Sequence, residues 1–122
     1  MNVGIIGFGR IGAEHAQWLS SATGIRAIAA LDVTQARRDL ASAQGLRAFD
    51  SVDAFLACAD IDAVLVATPN SFHFDHARRA LLSGKHVMVE KPMTLNLSDA
   101  SRLASEAVKL RKTLSVFHNR RW

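Results

Sequence analysis

The hydrophobic positions of this chain fall into two kinds of segment, which alternate from one end of the sequence to the other. Short apolar runs, several of them rich in β-branched residues or alanine, predict strands of a buried sheet. In the longer segments between them, apolar residues recur every three or four positions, as on one face of a helix. The predicted strands cover residues 2–6, 25–31, 47–49, 61–67, 86–90 and 114–117.

Helices are predicted between these strands, and several have end signals in the sequence. Gly24 is suited to end the first helix, and Thr34 is suited to cap the start of the second. The last helix is expected to begin at Ser98. Its predicted apolar face consists of Leu103, Ala104, Ala107 and Val108. The predicted helices cover residues 10 to about 22, 34 to about 45, a short stretch near 52–56, 72–83, and a longer segment from 98.

The short connections between these elements restrict the topology. Strands that alternate with helices in this way pair in parallel and are joined by right-handed crossovers. The sequence therefore predicts a single α/β domain, with a doubly wound, mostly parallel sheet and helices on both faces. Ligands bind such folds at the carboxyl ends of the strands. Gly7, Asp32, Thr68, Glu90 and Lys91 all follow or end predicted strands.

Three spaced glycines, Gly7, Gly9 and Gly12, follow the first predicted strand. Gly7 can adopt a left-handed turn, Gly9 has no side chain to hold a phosphate away, and Gly12 lets the helix pack close to the strand. The helix start offers unpaired N–H groups and a positive dipole end to a pyrophosphate. Alone, this spacing also fits an ordinary turn, but Asp32 lies about twenty residues further on, where a carboxylate meets the adenosine ribose. Together these features predict a dinucleotide-binding Rossmann fold.

Asp32 also predicts which dinucleotide is bound. Its carboxylate can accept a hydrogen bond from the ribose 2′-hydroxyl of NAD, but it would repel the 2′-phosphate of NADP. Arg37 and Arg38 would counter that phosphate if the loop after Asp32 folded back, although the helix is expected to carry both away. We therefore expect NAD as the cofactor, with NADP as the weaker ligand.

Length and composition are those of an ordinary globular domain. The chain has 122 residues, 49% of them hydrophobic and 21% charged, and a formal net charge of +4 at pH 7. The basic residues are spread over several helices with few aromatic neighbours, which argues against nucleic-acid binding. No apolar run approaches the roughly twenty residues of a membrane span, and a strand already begins at residue 2, so we expect a cytoplasmic protein without a membrane partner. Cys58 is the only cysteine, and no residue cluster predicts a metal site.

The segment Glu90-Lys91-Pro92 is the second candidate for chemistry. A lysine at the carboxyl end of a strand reaches the crevice in which a nicotinamide would lie. Pro92 restricts the backbone of Lys91 to extended geometry, and at this stage the bond between them is open to both cis and trans forms. The alternative is a surface lysine with Glu90 as its ion partner.

Four short motifs span almost the whole sequence. They are Gly7-Phe8-Gly9-Arg10-Ile11-Gly12, Ala67-Thr68-Pro69-Asn70 followed by His73, Gly84-Lys85-His86-Val87, and Glu90-Lys91-Pro92. In this order and spacing they closely resemble the Gfo/Idh/MocA oxidoreductases. The resemblance implies an N-terminal nicotinamide-dinucleotide domain, a larger α/β domain after it, and oxidation or reduction of sugars, inositols and related polyols. It also implies a homo-oligomer in the full-length form.

The resemblance further implies roles for individual residues. Lys91 is expected to hydrogen-bond the substrate hydroxyl beside the nicotinamide and to act as the catalytic residue. Its ammonium group is a good proton donor to a carbonyl or alkoxide. By composition alone, His73 near a helix start would be a capping or packing residue. The residues expected to contact the cofactor are Gly7, Phe8, Gly9, Arg10, Ile11, Gly12, Asp32, Thr68, Pro69, Asn70, His73 and Glu90.

The Arg-rich end of the sequence, residues 118–122, resembles the segment from which family members continue into their second domain. We therefore expect residues 1–122 to form a cofactor domain without its substrate and oligomerisation domain, which binds dinucleotide but does not turn over. Two alternatives stay open. A methyltransferase also uses a glycine-rich loop and an acidic strand end, but it leaves Gly12 and the Glu90-Lys91-Pro92 segment unexplained. A non-catalytic dinucleotide sensor is the other.

Overall fold

The computed structural model describes residues 1–119, and the end of the Arg-rich segment, 120–122, lies outside the described residues. The strands are β1 Asn2–Ile6, β2 Arg26–Leu31, β3 Arg47–Phe49, β4 Ala63–Val66, β5 His86–Glu90 and β6 Leu114–Phe117. The α-helices are α1 Arg10–Ser20, α2 Gln35–Ala43, α3 Val52–Leu56, α4 His73–Leu82 and α5 Leu97–Lys109. A 3₁₀ turn, Asn70–Phe72, precedes α4. The predicted alternation of strands and helices is confirmed, with boundaries that differ by up to two residues.

The strands form one parallel sheet in the order β3-β2-β1-β4-β5-β6. Ile6 at the end of β1 pairs with Leu31 on one side and Val66 on the other, and Val66 pairs in turn with Val89. The carboxyl ends of four central strands therefore lie along the same edge. The predicted doubly wound α/β fold is confirmed.

Two hydrophobic cores lie on opposite faces of the sheet, because successive strand residues point to opposite sides. Ile5 belongs to the core that includes Ala16 of α1 and Ala41 of α2. Ile6 belongs to the other core, which α3, α4 and α5 cover. This division explains why the strands are apolar without interruption: both faces of the sheet are buried.

Helix α5 differs from the sequence prediction in its start and in its apolar face. It begins at Leu97 because the side chain of Asn96 accepts a hydrogen bond from the backbone N–H of Asp99 at 2.8 Å, a cap that takes precedence over Ser98. The buried side chains are Leu103 and Ala107, whereas Ala104 and Val108 are exposed. The buried stripe is thus narrower than predicted, since α5 packs mainly against α4 and the edge strand β6.

Within the described residues 1–119, no helix is both long enough and apolar enough to cross a membrane.

Candidate dinucleotide site

The site lies where the chain changes faces of the sheet. Strands β1 and β4 are neighbours, yet α1 leaves β1 on one face while α4 leaves β4 on the other. The connections therefore diverge and leave a crevice at the carboxyl ends of these two strands, which is where doubly wound folds bind ligands.

The glycine turn after β1 is constrained by the protein's own backbone at two positions. Gly7 has a φ of +91°, and a Cβ there would lie 2.7 Å from the carbonyl oxygen of Ala67. A Cβ on Gly12 would lie 2.0 Å from the carbonyl oxygen of Gly7. Only glycine fits either position, because neither neighbour is a side chain that can move aside.

Gly9 has no such internal reason to be glycine. The nearest atom to a Cβ placed there is in the mobile guanidinium group of Arg37, at an ordinary contact distance of 3.5 Å. Gly9 also caps α1 without a side-chain hydrogen bond, so the first N–H groups of the helix are not capped by a side chain. An open, positively polarised cradle at this point fits a pyrophosphate, and this is the observation that supports a dinucleotide here.

Asp32, at the end of β2, is fixed in the structure by backbone donors. It is only 6% exposed. Its Oδ2 accepts from the N–H of Phe8 at 2.8 Å, and its Oδ1 accepts from the N–H of Thr34 at 2.9 Å. A carboxylate has further lone pairs, so these bonds orient Asp32 and leave acceptor capacity for a ribose hydroxyl.

Arg37 contradicts the expectation that α2 carries both arginines away from Asp32. Its guanidinium lies 3.6 Å from Oδ2 of Asp32, and it is the nearest group to the space above Gly9. The prediction failed because Arg37 lies in the first turn of α2, from which a long side chain reaches back over the loop. Arg38 also lies beside Asp32, but its guanidinium donates to the backbone carbonyl oxygens of Asp32 and Val33, at 2.9 Å each, and not to the Asp32 carboxylate.

On the other side of the crevice, a pocket of about 190 Å³ opens between the ends of β4 and β5. It brings together several residues expected at the site, along with Glu14, Trp18 and Phe117. The expected residues that line it are Ile11, Thr68, Asn70, His73, Glu90 and Lys91.

Glu90 is paired, but not with the lysine that follows it. Its Oε1 lies 2.7 Å from Nε2 of His15 on α1, and both side chains are largely buried. The rings of Trp18 and Phe117 pack edge-on against His15. Glu90 is thus not the ion partner of Lys91 that the alternative proposed. Within residues 1–119, Lys91 is exposed and makes no salt bridge, and its bond to Pro92 is cis.

The loop after β4 is held by two histidines of α4. His73 is 1% exposed and contacts the carbonyl oxygens of both Thr68 and Pro92. Nδ1 of His76 lies 3.2 Å from Oγ1 of Thr68. Burial lowers the pKa of His76 below its ordinary value, and the neighbouring Asp75 opposes that shift. A neutral His76 ring is therefore the form that meets the Thr68 hydroxyl.

The remaining predicted residues lie at the rim or in the core. The side chain of Phe8 is fully buried, and its N–H is already bonded to Asp32, whereas Arg10 is exposed and bonded to Glu14 at 3.0 Å. Pro69 is exposed beside the pocket. Among residues 1–119, no three histidine, cysteine, aspartate or glutamate side chains are grouped as metal ligands would be.

The sequence analysis did not identify His15 as a site residue. The spacing of α1 carries a signal for it, because Ile11, His15 and Trp18 lie four and three residues apart and so share one face of the helix. Ile11 and Trp18 of that face line the pocket. The pairing with Glu90, 75 residues further on, follows only from the topology.

Comparisons with known proteins agree with this geometry. A sequence profile of the Gfo/Idh/MocA family, described as "Oxidoreductase family, NAD-binding Rossmann fold", matches residues 1–118. UDP-N-acetylglucosamine 3-dehydrogenase of Acidithiobacillus ferrooxidans is 36% identical over 121 residues, which cover 99% of this chain and 38% of that protein.

Two solved structures are also similar to nearly the whole of this chain. An NAD-binding protein from Listeria innocua has a TM-score of 0.95 and 36% identity, over 99% of this chain and 36% of its own. A biliverdin reductase from Synechocystis, solved with biliverdin and NADP+, has a TM-score of 0.90 and 30% identity, over 96% of this chain and 37% of its own. The chain thus spans between 36% and 38% of the length of these three proteins. The Listeria protein is described as NAD-binding, whereas the Synechocystis protein was solved with NADP+.

Proposed function

Because this chain belongs to the Gfo/Idh/MocA oxidoreductase family, we propose that residues 1–122 are the cofactor domain of an enzyme that moves hydride between a nicotinamide and a carbinol carbon. The substrate class we propose is a sugar, an inositol or a similar polyol, in keeping with the sugar-nucleotide dehydrogenase among the relatives. The observation that carries the proposal is the open cradle above Gly9 at the uncapped start of α1. Family membership also removes the methyltransferase alternative.

The dinucleotide is proposed to extend across the crevice from Asp32 to Lys91. The adenosine ribose would lie at Asp32, the pyrophosphate at Gly9, and the nicotinamide end near Thr68 and Lys91. The bound cofactor supplies or accepts the hydride. Lys91 is proposed to donate to, or accept a proton from, the substrate oxygen. Its side chain is exposed and makes no salt bridge within residues 1–119.

NAD(H) is proposed as the preferred cofactor. The Asp32 carboxylate is oriented by the N–H groups of Phe8 and Thr34, and it is available to a ribose hydroxyl. The guanidinium of Arg37, 3.6 Å away, offsets part of the repulsion that a 2′-phosphate would meet. The preference is therefore expected to be modest. Calorimetric titration with NADH and NADPH tests it, and equal or tighter binding of NADPH would refute it.

Catalysis is proposed to require a second domain. The wall opposite Lys91 must hold the substrate carbon near the nicotinamide, because positioning supplies much of the rate of such a reaction. We expect the 122-residue chain to bind dinucleotide without oxidising polyols. A longer form that carries a substrate domain should turn over, and Lys91→Ala should reduce its rate by about 10²–10⁴-fold.

The experiment follows NADH absorbance for both forms on a panel of sugars and polyols. Turnover by the 122-residue chain alone, or an unimpaired Lys91→Ala enzyme, would refute the mechanism. Tight dinucleotide binding without turnover in the longer form would instead favour the dinucleotide sensor.

A further inference from the structure

His73 is a buried imidazole with a hydrogen-bond acceptor at each ring nitrogen. Its Nδ1 lies 2.7 Å from the carbonyl oxygen of Pro92, and its Nε2 lies 2.8 Å from the carbonyl oxygen of Thr68. The Thr68 carbonyl belongs to the loop after β4, and the Pro92 carbonyl belongs to the loop after β5, so a single buried ring contacts both loops.

We propose that His73 acts as a positioning residue that ties the loop after β4 to the loop after β5, because its two ring nitrogens contact one carbonyl oxygen in each loop. The first loop carries Thr68, and the second begins with Lys91 and Pro92. The clamp would therefore fix the two sides of the pocket assigned above to the nicotinamide. This inference rests on the proposed dinucleotide function.

Positioning is tested with His73→Phe, which keeps a ring and removes both ring nitrogens. The two ligands are NADH and ADP-ribose, which lacks the nicotinamide. We expect the Kd of NADH to rise about tenfold while that of ADP-ribose stays unchanged, because only the nicotinamide end lies at the clamp. An equal loss for both ligands, or no change in either, would overturn the positioning role. A wild-type chain that binds neither ligand would instead refute the proposed function itself.

Discussion

The two ends of the candidate site are built in different ways. At the Asp32 end, the site consists largely of backbone: the turn at Gly7, the close approach of Gly12 to that turn, and the uncapped start of α1. At the Lys91 end, it depends on side chains that meet across long sequence distances, such as His15 with Glu90. The first end is therefore specified locally, whereas the second exists only once the sheet has formed.

This difference predicts how each end fails. A substitution at Gly7 or Gly12 of the backbone-built end creates a steric overlap with the protein's own backbone, and it should be severe. A substitution at the side-chain end removes one bond from a set, and it should be graded.

The largest effect is expected for Gly12→Ala. Its Cβ would lie 2.0 Å from the carbonyl oxygen of Gly7, so the helix and the turn must separate. We expect a loss of about 3 kcal/mol or more in the free energy of unfolding, measured by urea denaturation. The matched control is Gly24→Ala, at which φ is +79° but no atom lies within 4 Å of the added Cβ, so only about 1 kcal/mol is expected. Similar losses in both variants would contradict the steric account.

An intermediate effect is expected for the pair of His15 and Glu90. Their side chains are 7% and 13% exposed, so a double-mutant cycle with leucine at each position should give a coupling energy of about 1–2 kcal/mol. The control pair lies on the same helix: Arg10 and Glu14 are 79% and 38% exposed, and their coupling should stay at or below about 0.5 kcal/mol. Equal coupling in the two cycles would show that His15 and Glu90 do not hold α1 to β5.

The smallest effect is expected for Arg37→Gln, which sharpens the account of cofactor choice. Removing a guanidinium that is half exposed beside Asp32 should weaken NADPH binding about threefold to fivefold and leave NADH binding unchanged. Arg38→Gln is the control, because Arg38 donates to backbone carbonyl oxygens instead. An unchanged ratio of the two affinities in Arg37→Gln would show that Arg37 does not face the 2′ position.

Most of the fold could be predicted from the sequence because it follows from local pattern. Apolar runs predicted the strands, and the short connections between elements predicted that the strands pair in parallel. Helix boundaries were less certain, since Asn96 and Ser98 are both good caps and only the hydrogen bond to Asp99 decides between them. The exposed Val108 was misassigned because periodicity shows which residues share a face but not how wide a face the neighbours cover.

The candidate site was predictable to the extent that its chemistry is carried by spacing. The glycines and Asp32 have fixed separations along the chain, so their meeting place could be inferred. Arg37 was not placed correctly, because the reach of a long side chain depends on rotamers that the sequence does not contain. The contact of His73 with Pro92 depends on the register of β4 against β5 and on the turn after β5, which only the structure provides.

The central claim is that a dinucleotide binds across the crevice through the space above Gly9, and that Lys91 serves chemistry and not cofactor affinity. Calorimetric titration of NADH into the wild-type chain, Gly9→Ala and Lys91→Ala tests it most directly. We expect one site per chain in the wild type, an affinity at least about tenfold weaker in Gly9→Ala despite unchanged thermal stability, and wild-type affinity within about twofold in Lys91→Ala. A wild-type chain that does not bind NADH, or a Lys91→Ala variant that loses as much affinity as Gly9→Ala, would contradict the claim.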